Sequence, residues 1–361
     1  VQAPAAVNKR PSTRGTRRHA PARAFLRTIR KPSEDMHKPG AGFADQVILV
    51  TGGSEGIGAS VVEKMAREGA RVLSVSRSAR GAEAAARLGR QGFDVAWIQA
   101  DVSDPGACAD VVREAIRRHG RLDVLVNNAG NRPATLQRPI DSLTDADLRE
   151  ALGTHLHGPY NLSIAAWPHM AAQRYGRILN FCSGHLFSSF DEHGLLPFGI
   201  AKSGIIGLTK MMATPGARCG IAVNALFPAA LDSQWNRVEW RVPSQQEERD
   251  LADVCSHAGL WPFIEWICGP NACNGEMFSV CNTNLTHVFV GDTDNFSYSA
   301  YPDMGACVRA AMESASHDRP RTVGQFFSKH LGAPRSRRLV QLLASLATRR
   351  HRAPERVPAP D

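Results

Sequence analysis

The apolar run Val47-Ile-Leu-Val-Thr51 leads straight into Gly52-Gly-Ser-Glu-Gly-Ile-Gly58, and a helical stretch follows through Glu68. A short segment that is apolar throughout reads as a strand buried on both faces. Glycines at 52, 56 and 58 let the backbone turn tightly and approach a ligand without a Cβ in the way. The helix that begins there presents free N–H groups and the positive end of its dipole, which favour an anion. Gly52, Ser54, Gly56, Ile57 and Gly58 are therefore the candidate phosphate-binding residues. Three glycines alone say little. The turn acquires meaning from the strand before it, the helix behind it and the alternation that continues downstream.

That alternation is regular. Strand-like Arg71–Ser76 is followed by an Ala-rich helix from Gly81 to about Gly89, then strand Val95–Gln99, helix Pro105–His119 and strand Leu122–Asn127. The pattern predicts helix 159–174, strand 177–182, helix 197–213, strand 221–226, helix 251–268 and strand 277–281. Right-handed crossovers between such strands give a parallel sheet covered on both faces. The expected architecture is an α/β doubly wound, seven-stranded parallel sheet spanning residues 45–282, with an extension on either side, 1–44 and 283–361. Residues 283–318 carry no strong period. Leu339, Val340, Leu342, Leu343, Leu346 and Ala347, flanked by Arg337-Arg338 and Arg349-Arg350, predict a basic amphipathic helix.

The net charge of +9 is unevenly spread. Residues 1–44 hold ten Lys/Arg against Glu34 and Asp35, and residues 319–361 hold ten against Glu355 and Asp361. The remainder is acidic, with 23 bases and 30 acids. An acidic body with two basic arms points to anionic partners met by the arms: protein subunits of a larger assembly, with rRNA or anionic lipid as further candidates, and with homo-oligomers as another expectation. The first 33 residues are acid-free and bear Ala, Ser and Thr. This is the bias of an organelle-targeting segment, which suggests a mitochondrion or plastid; a solvated tail is the plainer alternative. No apolar run reaches the roughly 18 residues that would cross a bilayer. Eight cysteines are scattered without C-x-x-C pairs, so neither a disulfide framework nor a metal site is expected.

Together, Thr51-Gly-x-x-x-Gly-Ile-Gly58, Asp101-Val102 after the third strand and Asn127-Asn-Ala-Gly130 after the fourth resemble the short-chain dehydrogenase/reductase superfamily, a Rossmann-type fold. The resemblance runs from about Gln46 to Cys281, and Trp266–Val280 looks like the last helix and strand of its hydroxyacyl-CoA or hydroxysteroid members. It implies that Asp101 binds the adenine amino group and that Val102, Asn128, Ala129 and Gly130 belong to the cofactor site. Pro228 and Leu231 would flank the nicotinamide, although Ala229 stands where a glycine is usual. At the end of the second strand, Ser76 and Arg77 replace the acid that would hold an NAD ribose, which favours NADP over NAD. Glu55, where many relatives carry a base, argues the other way through repulsion.

The resemblance also implies a catalytic Ser, a Tyr, a Lys four residues later and an Asn on a neighbouring helix. Ser183 and Lys202 match. Phe198 replaces the Tyr, and His155 replaces the Asn. The tyrosines at 160, 175, 298 and 301 cannot occupy that helix turn. A phenylalanine offers no proton at any pH. His193 and His185, on the loop after Ser183, are the candidate substitute acids. Two expectations follow: an impaired, NADP(H)-binding accessory subunit, or an active NADP-dependent oxidoreductase on a hydroxyacyl or other secondary-alcohol or ketone substrate.

Overall fold

A computed structural model describes residues 42–131, 134–135, 138–187, 195–230 and 256–289, with single positions at 246, 306 and 341. The expectations for residues 1–41, Leu231, His193 and the helix around Leu339–Ala347 lie outside the described residues. Strand β1 (Val47–Thr51) is buried at every position, as its apolar run requires. It is flanked by β2 (Arg71–Ser76) and β4 (Val124–Asn127), both parallel to it. With β3 (Val95–Gln99), β5 (Gly176–Phe181), β6 (Ile221–Ala229), β7 (Met277–Cys281) and β8 (Asn284–Val288), the sheet order is β3-β2-β1-β4-β5-β6-β7-β8. The order reverses between β1 and β4, and the crevice beyond the strand ends at such a switch point is where ligands bind in open α/β sheets.

Both faces are covered. Helices α1 (Gly56–Arg67), α2 (Arg80–Arg90) and α7 (Trp261–Cys268) pack Val62, Met65, Leu88 and Ile264 against one face. Helices α3 (Pro105–His119), α5 (Gly158–Gln173) and α6 (Leu196–Cys219) pack Val111, Leu162 and Met212 against the other. No helix among the described residues is long and apolar enough to cross a membrane.

The sheet differs from expectation in one strand. It has eight, not seven, and β8 turns back antiparallel through a left-handed Asn282, with Cys281 opposite Asn284. Its five residues alternate between half-buried and exposed, too short an alternation to stand out from the loop sequence around it. The body therefore runs past residue 282. It also begins before 45: Phe43 is 1 % exposed, lies in the core and meets the Trp261 ring at a tilt, centroids 6.3 Å apart.

Three helical segments also depart from the sequence reading. Helix α6 continues past residue 213 to Cys219, through Pro215. Of the helix expected over 251–268, Trp261–Cys268 is α-helical after a tight turn at His257–Leu260, and 251–255 lie outside the described residues. An additional helix, α4 (Asp145–Leu152), precedes α5 and joins it through a π-helical turn, Gly153–His157.

Candidate functional site

The turn after β1 has the shape its glycines imply. Gly52 has φ +68°, and a Cβ there would lie 2.9 Å from both the Ala129 Cα and the Asn128 Nδ2. A Cβ on Gly58 would fall 2.1 Å from the Gly52 carbonyl oxygen, so neither position admits a side chain. Gly56, at φ +56°, faces open space within 4 Å. The α1 N-terminus that follows has no side-chain cap from Glu55 and no acid in its first turn. Its N–H groups thus face a side-chain-free concavity, which fits a dinucleotide pyrophosphate. Ser54 is half-buried on this turn, and Ile57 packs towards the core.

The ends of β1 and β4 are tied together beneath this cradle. Asn128 Nδ2 donates to the Thr51 carbonyl at 2.9 Å. The Thr51 hydroxyl accepts from the Asn128 and Ala129 N–H groups at 3.1 and 3.0 Å. Val102 is buried and packs against Gly158. Gly130 leaves room for His155, whose Cε1 would be 3.1 Å from a Cβ there.

At the adenosine end, Arg77 Nη1 lies 3.5 Å from Asp101 Oδ2. Asp101 Oδ1 accepts from the Ser103 N–H and hydroxyl at 2.9 and 2.8 Å. Partial burial works to raise the Asp101 pKa, but the Ser103 bonds and Arg77 outweigh it and hold the carboxyl below its usual range. Glu55 is paired with Arg80 at 3.3 Å. Sequence reading did not single out Arg80; only the fold brings α2's first residue over the glycine turn. The pair offsets the repulsion that Glu55 alone would exert on a phosphate.

Ser183, Lys202, Phe198 and His155 converge at the end of β5. Lys202 Nζ donates to the Phe181 carbonyl at 2.7 Å and lies 5.8 Å from the centre of the Phe198 ring. Burial lowers the Lys202 ammonium to about 8, with Cys182 opposing the shift. Phe198, 2 % exposed, meets the His155 ring edge-on at 4.9 Å and the His185 ring at 6.0 Å. His155 sits in the π-helical turn and is pushed down to about 3, first by burial and then by Lys202, against a bond to the Asn131 backbone. Its Nδ1, and the Asn131 side-chain oxygen, have no hydrogen-bond partner among the described residues. Asn131 is a site neighbour that sequence reading missed.

Ser183 Oγ lies 2.9 Å from His185 Nδ1 and accepts from the His185 backbone N–H at 3.3 Å. Of the candidate substitute acids, His185 is thus at the site. Pro228 is half-buried at the end of β6, opposite Val280, and Ala229 is buried.

A doubly wound sheet with a glycine cradle at its switch point and a Ser–Lys pair beside it defines a nicotinamide-dinucleotide oxidoreductase fold. The chain belongs to the short chain dehydrogenase family, whose model matches residues 46–242. It is 39% identical over 190 residues to an uncharacterized oxidoreductase of Bacillus subtilis, covering 52% of this chain and 72% of that protein. It is 33% identical over 192 residues to an acetoacetyl-CoA reductase of Paracoccus denitrificans, covering 53% and 76%. A 3-oxoacyl-acyl-carrier-protein reductase of Escherichia coli is 32% identical over 196 residues, covering 54% and 77%. Among solved structures, a short chain dehydrogenase from Mycobacterium avium shares the fold with a TM-score of 0.66 at 22% identity, covering 78% of this chain and all of that one. An actinorhodin polyketide ketoreductase solved with NADPH shares it at 0.58 and 24%, covering 66% and 96%.

Proposed function

We propose that this protein holds NADP(H) in the Gly52–Gly58 cradle and is a catalytically impaired dehydrogenase. In this reading ketone reduction survives only as a slow residual reaction. The observation that carries it is the Phe198 ring, in edge-on contact with both His155 and His185 and 5.8 Å from Lys202 Nζ, where the resemblance calls for a phenol. Nicotinamide, when bound, supplies the hydride. The chain's part is to hold the dinucleotide and to furnish the proton. Thr51, Asn128 and the glycines shape the cradle, Arg77 and Arg80 favour a 2′-phosphate, and Lys202 offers an ammonium to ribose hydroxyls. A positioned general acid contributes roughly 10² to 10⁴ in rate, and that contribution is what Phe198 withholds. The names of the acyl-thioester relatives make a 3-oxoacyl thioester the first substrate class to try. The accessory-subunit role in an organellar assembly is part of the same proposal and rests on the charge of the two extensions.

Calorimetry with NADPH and NADH, followed by reduction of acetoacetyl-CoA by wild type and Phe198→Tyr, tests this reading. NADPH should bind more tightly than NADH, and Phe198→Tyr should raise turnover by about 10² or more. Failure to bind either nucleotide, or a wild-type rate that the added phenol does not improve, would overturn it. The second reading, a fully active reductase, is favoured by the Ser183–His185 contact and predicts that unimproved rate.

A further inference from the structure

The Ser183–His185 contact bears on where the residual proton comes from, and the inference rests on the reading that slow reduction persists. A serine hydroxyl has one proton and two lone pairs. One lone pair of Ser183 Oγ is already taken by the His185 backbone N–H at 3.3 Å, and the imidazole Nδ1 stands 2.9 Å away. With the ring charged, Nδ1–H occupies the second lone pair, so the Ser183 proton can only point outward. With the ring neutral and its proton on Nε2, Nδ1 accepts the Ser183 proton instead and the hydroxyl turns inward. The protonation state of His185 therefore sets whether Ser183 is a donor to a substrate oxygen.

We propose that His185 is a positioning residue that turns Ser183 into the proton donor of a phenol-free site and then replaces the proton Ser183 gives up. As hydride adds to the carbonyl carbon, the C=O π pair moves onto oxygen, which forms a bond to the Ser183 proton. The Ser183 O–H bond breaks, Oγ takes the Nδ1 proton, and the imidazolium becomes a neutral imidazole that solvent reprotonates. Charge and protons balance without any group beyond the hydride donor and water.

The surroundings agree with such a role. His185 lies on a short helical turn, Gly184–Phe187, packed against α6 and β6. From α6 comes Lys202, 5.8 Å from the Phe198 ring that His185 also meets, while Lys210 is tied to the Gly275 carbonyl. Strand β6 carries no ionisable side chain. Cys182, preceding Ser183, is a thiol pushed up to about 11 by burial, and His155 across Phe198 is held neutral by burial. His185 is thus the titratable group here in direct contact with the Ser183 hydroxyl.

Two measurements on the full chain decide this. The rate of acetoacetyl-CoA reduction with NADPH should fall on the order of tenfold from pH 6 to pH 8 in wild type, following the imidazolium. In His185→Gln it should be flat and about tenfold or more lower at pH 6. The double variant carrying Phe198→Tyr and His185→Gln should regain turnover, which a merely unfolded His185→Gln site could not do. Separately, with no nucleotide present, the ring-nitrogen resonances of labelled His185 should shift and titrate differently in Ser183→Ala. A wild-type pH profile unchanged in His185→Gln, or a titration indifferent to Ser183→Ala, overturns the proposal. If NADPH fails to bind, the cofactor reading falls and the proton-donor role falls with it, while the resonance measurement separately decides whether His185 is hydrogen-bonded to Ser183.

Discussion

His155 shows how a single buried side chain makes the site sensitive to acid. It is 2 % exposed, and its folded pKa of about 3 lies well below the ordinary 6.5. Below about pH 6.5 the unfolded chain takes up a proton that the folded one refuses, so stability is full above that pH and drains away as pH falls towards 3. A tenfold difference in proton affinity between the two states corresponds to about 1.4 kcal/mol. Between pH 7 and pH 4.5 wild type should therefore lose about 2 to 3 kcal/mol more than His155→Asn, which cannot charge. Urea unfolding of both proteins at the two pH values measures this. Equal losses would mean that His155 is protonated in the folded state, or opens to solvent, and that the site does not hold a neutral ring. The identity of the ring at 155 was legible in the sequence, as were Phe198, Ser183 and Lys202. Its electrostatic state was not, because that depends on Lys202 and on a backbone partner at Asn131, brought in by different elements.

At the level of elements, legibility followed the local apolar run: even β3, with no fully buried residue, showed itself by Val95-Ala-Trp-Ile98. Strands β1 and β4 are buried at every residue, so their apolar runs announced them. Strand β8 is half-exposed and did not. Helix α4 escaped notice for a similar reason: it is short, and among its residues only Ala151 is fully buried. Its signal lay instead in its cap. Thr144 Oγ1 accepts from the Asp147 N–H while Asp147 Oδ2 accepts from the Thr144 N–H at 2.7 Å, a reciprocal capping box. The helix packs against α6 and runs directly into the π-helical turn that carries His155, so the cap secures one wall of the site at a distance. π-Helical turns interrupt α-helices frequently at functional sites. Thr144→Ala should cost about 1 kcal/mol, within the usual range for lost N-caps, with the urea m-value unchanged. A loss of NADPH affinity larger than this stability change would indicate that the cap positions the site as well as the helix; no change in stability would deny the cap any weight. The Ser183–His185 contact was the least legible feature of all, since two residues in a turn after a strand have no periodicity to reveal which way they face.

The whole molecule joins an acidic body to two strongly basic ends, each with ten Lys/Arg against two acids. The folded body takes in Phe43 from the end of the first of these segments, and β8 forms one edge of its sheet. An arm with so few apolar residues cannot offset roughly 1 to 2 kcal/mol of ordering entropy per residue by burying surface of its own. Its basic side chains instead suit an anionic partner. Because Phe43 belongs to the core, the informative truncation removes residues 1–40 and leaves that ring in place. The truncated protein should melt within a degree or two of full length, a shift that for a domain of this size corresponds to about 0.5 to 1 kcal/mol. If the arm docks the protein onto a larger assembly, the full chain should fractionate at high molecular weight in low salt and move to smaller size as salt rises. Exposed charges are screened beyond about 8 Å at physiological ionic strength and more closely above it. The truncated form should run small at every salt concentration. Size fractionation of both forms from the native source, at low and high salt, makes the comparison. Coincident profiles would remove the assembly role from the N-terminal arm and leave its charge to serve targeting or solvation, while a melting temperature that drops sharply on truncation would mean that the arm is part of the folded body after all.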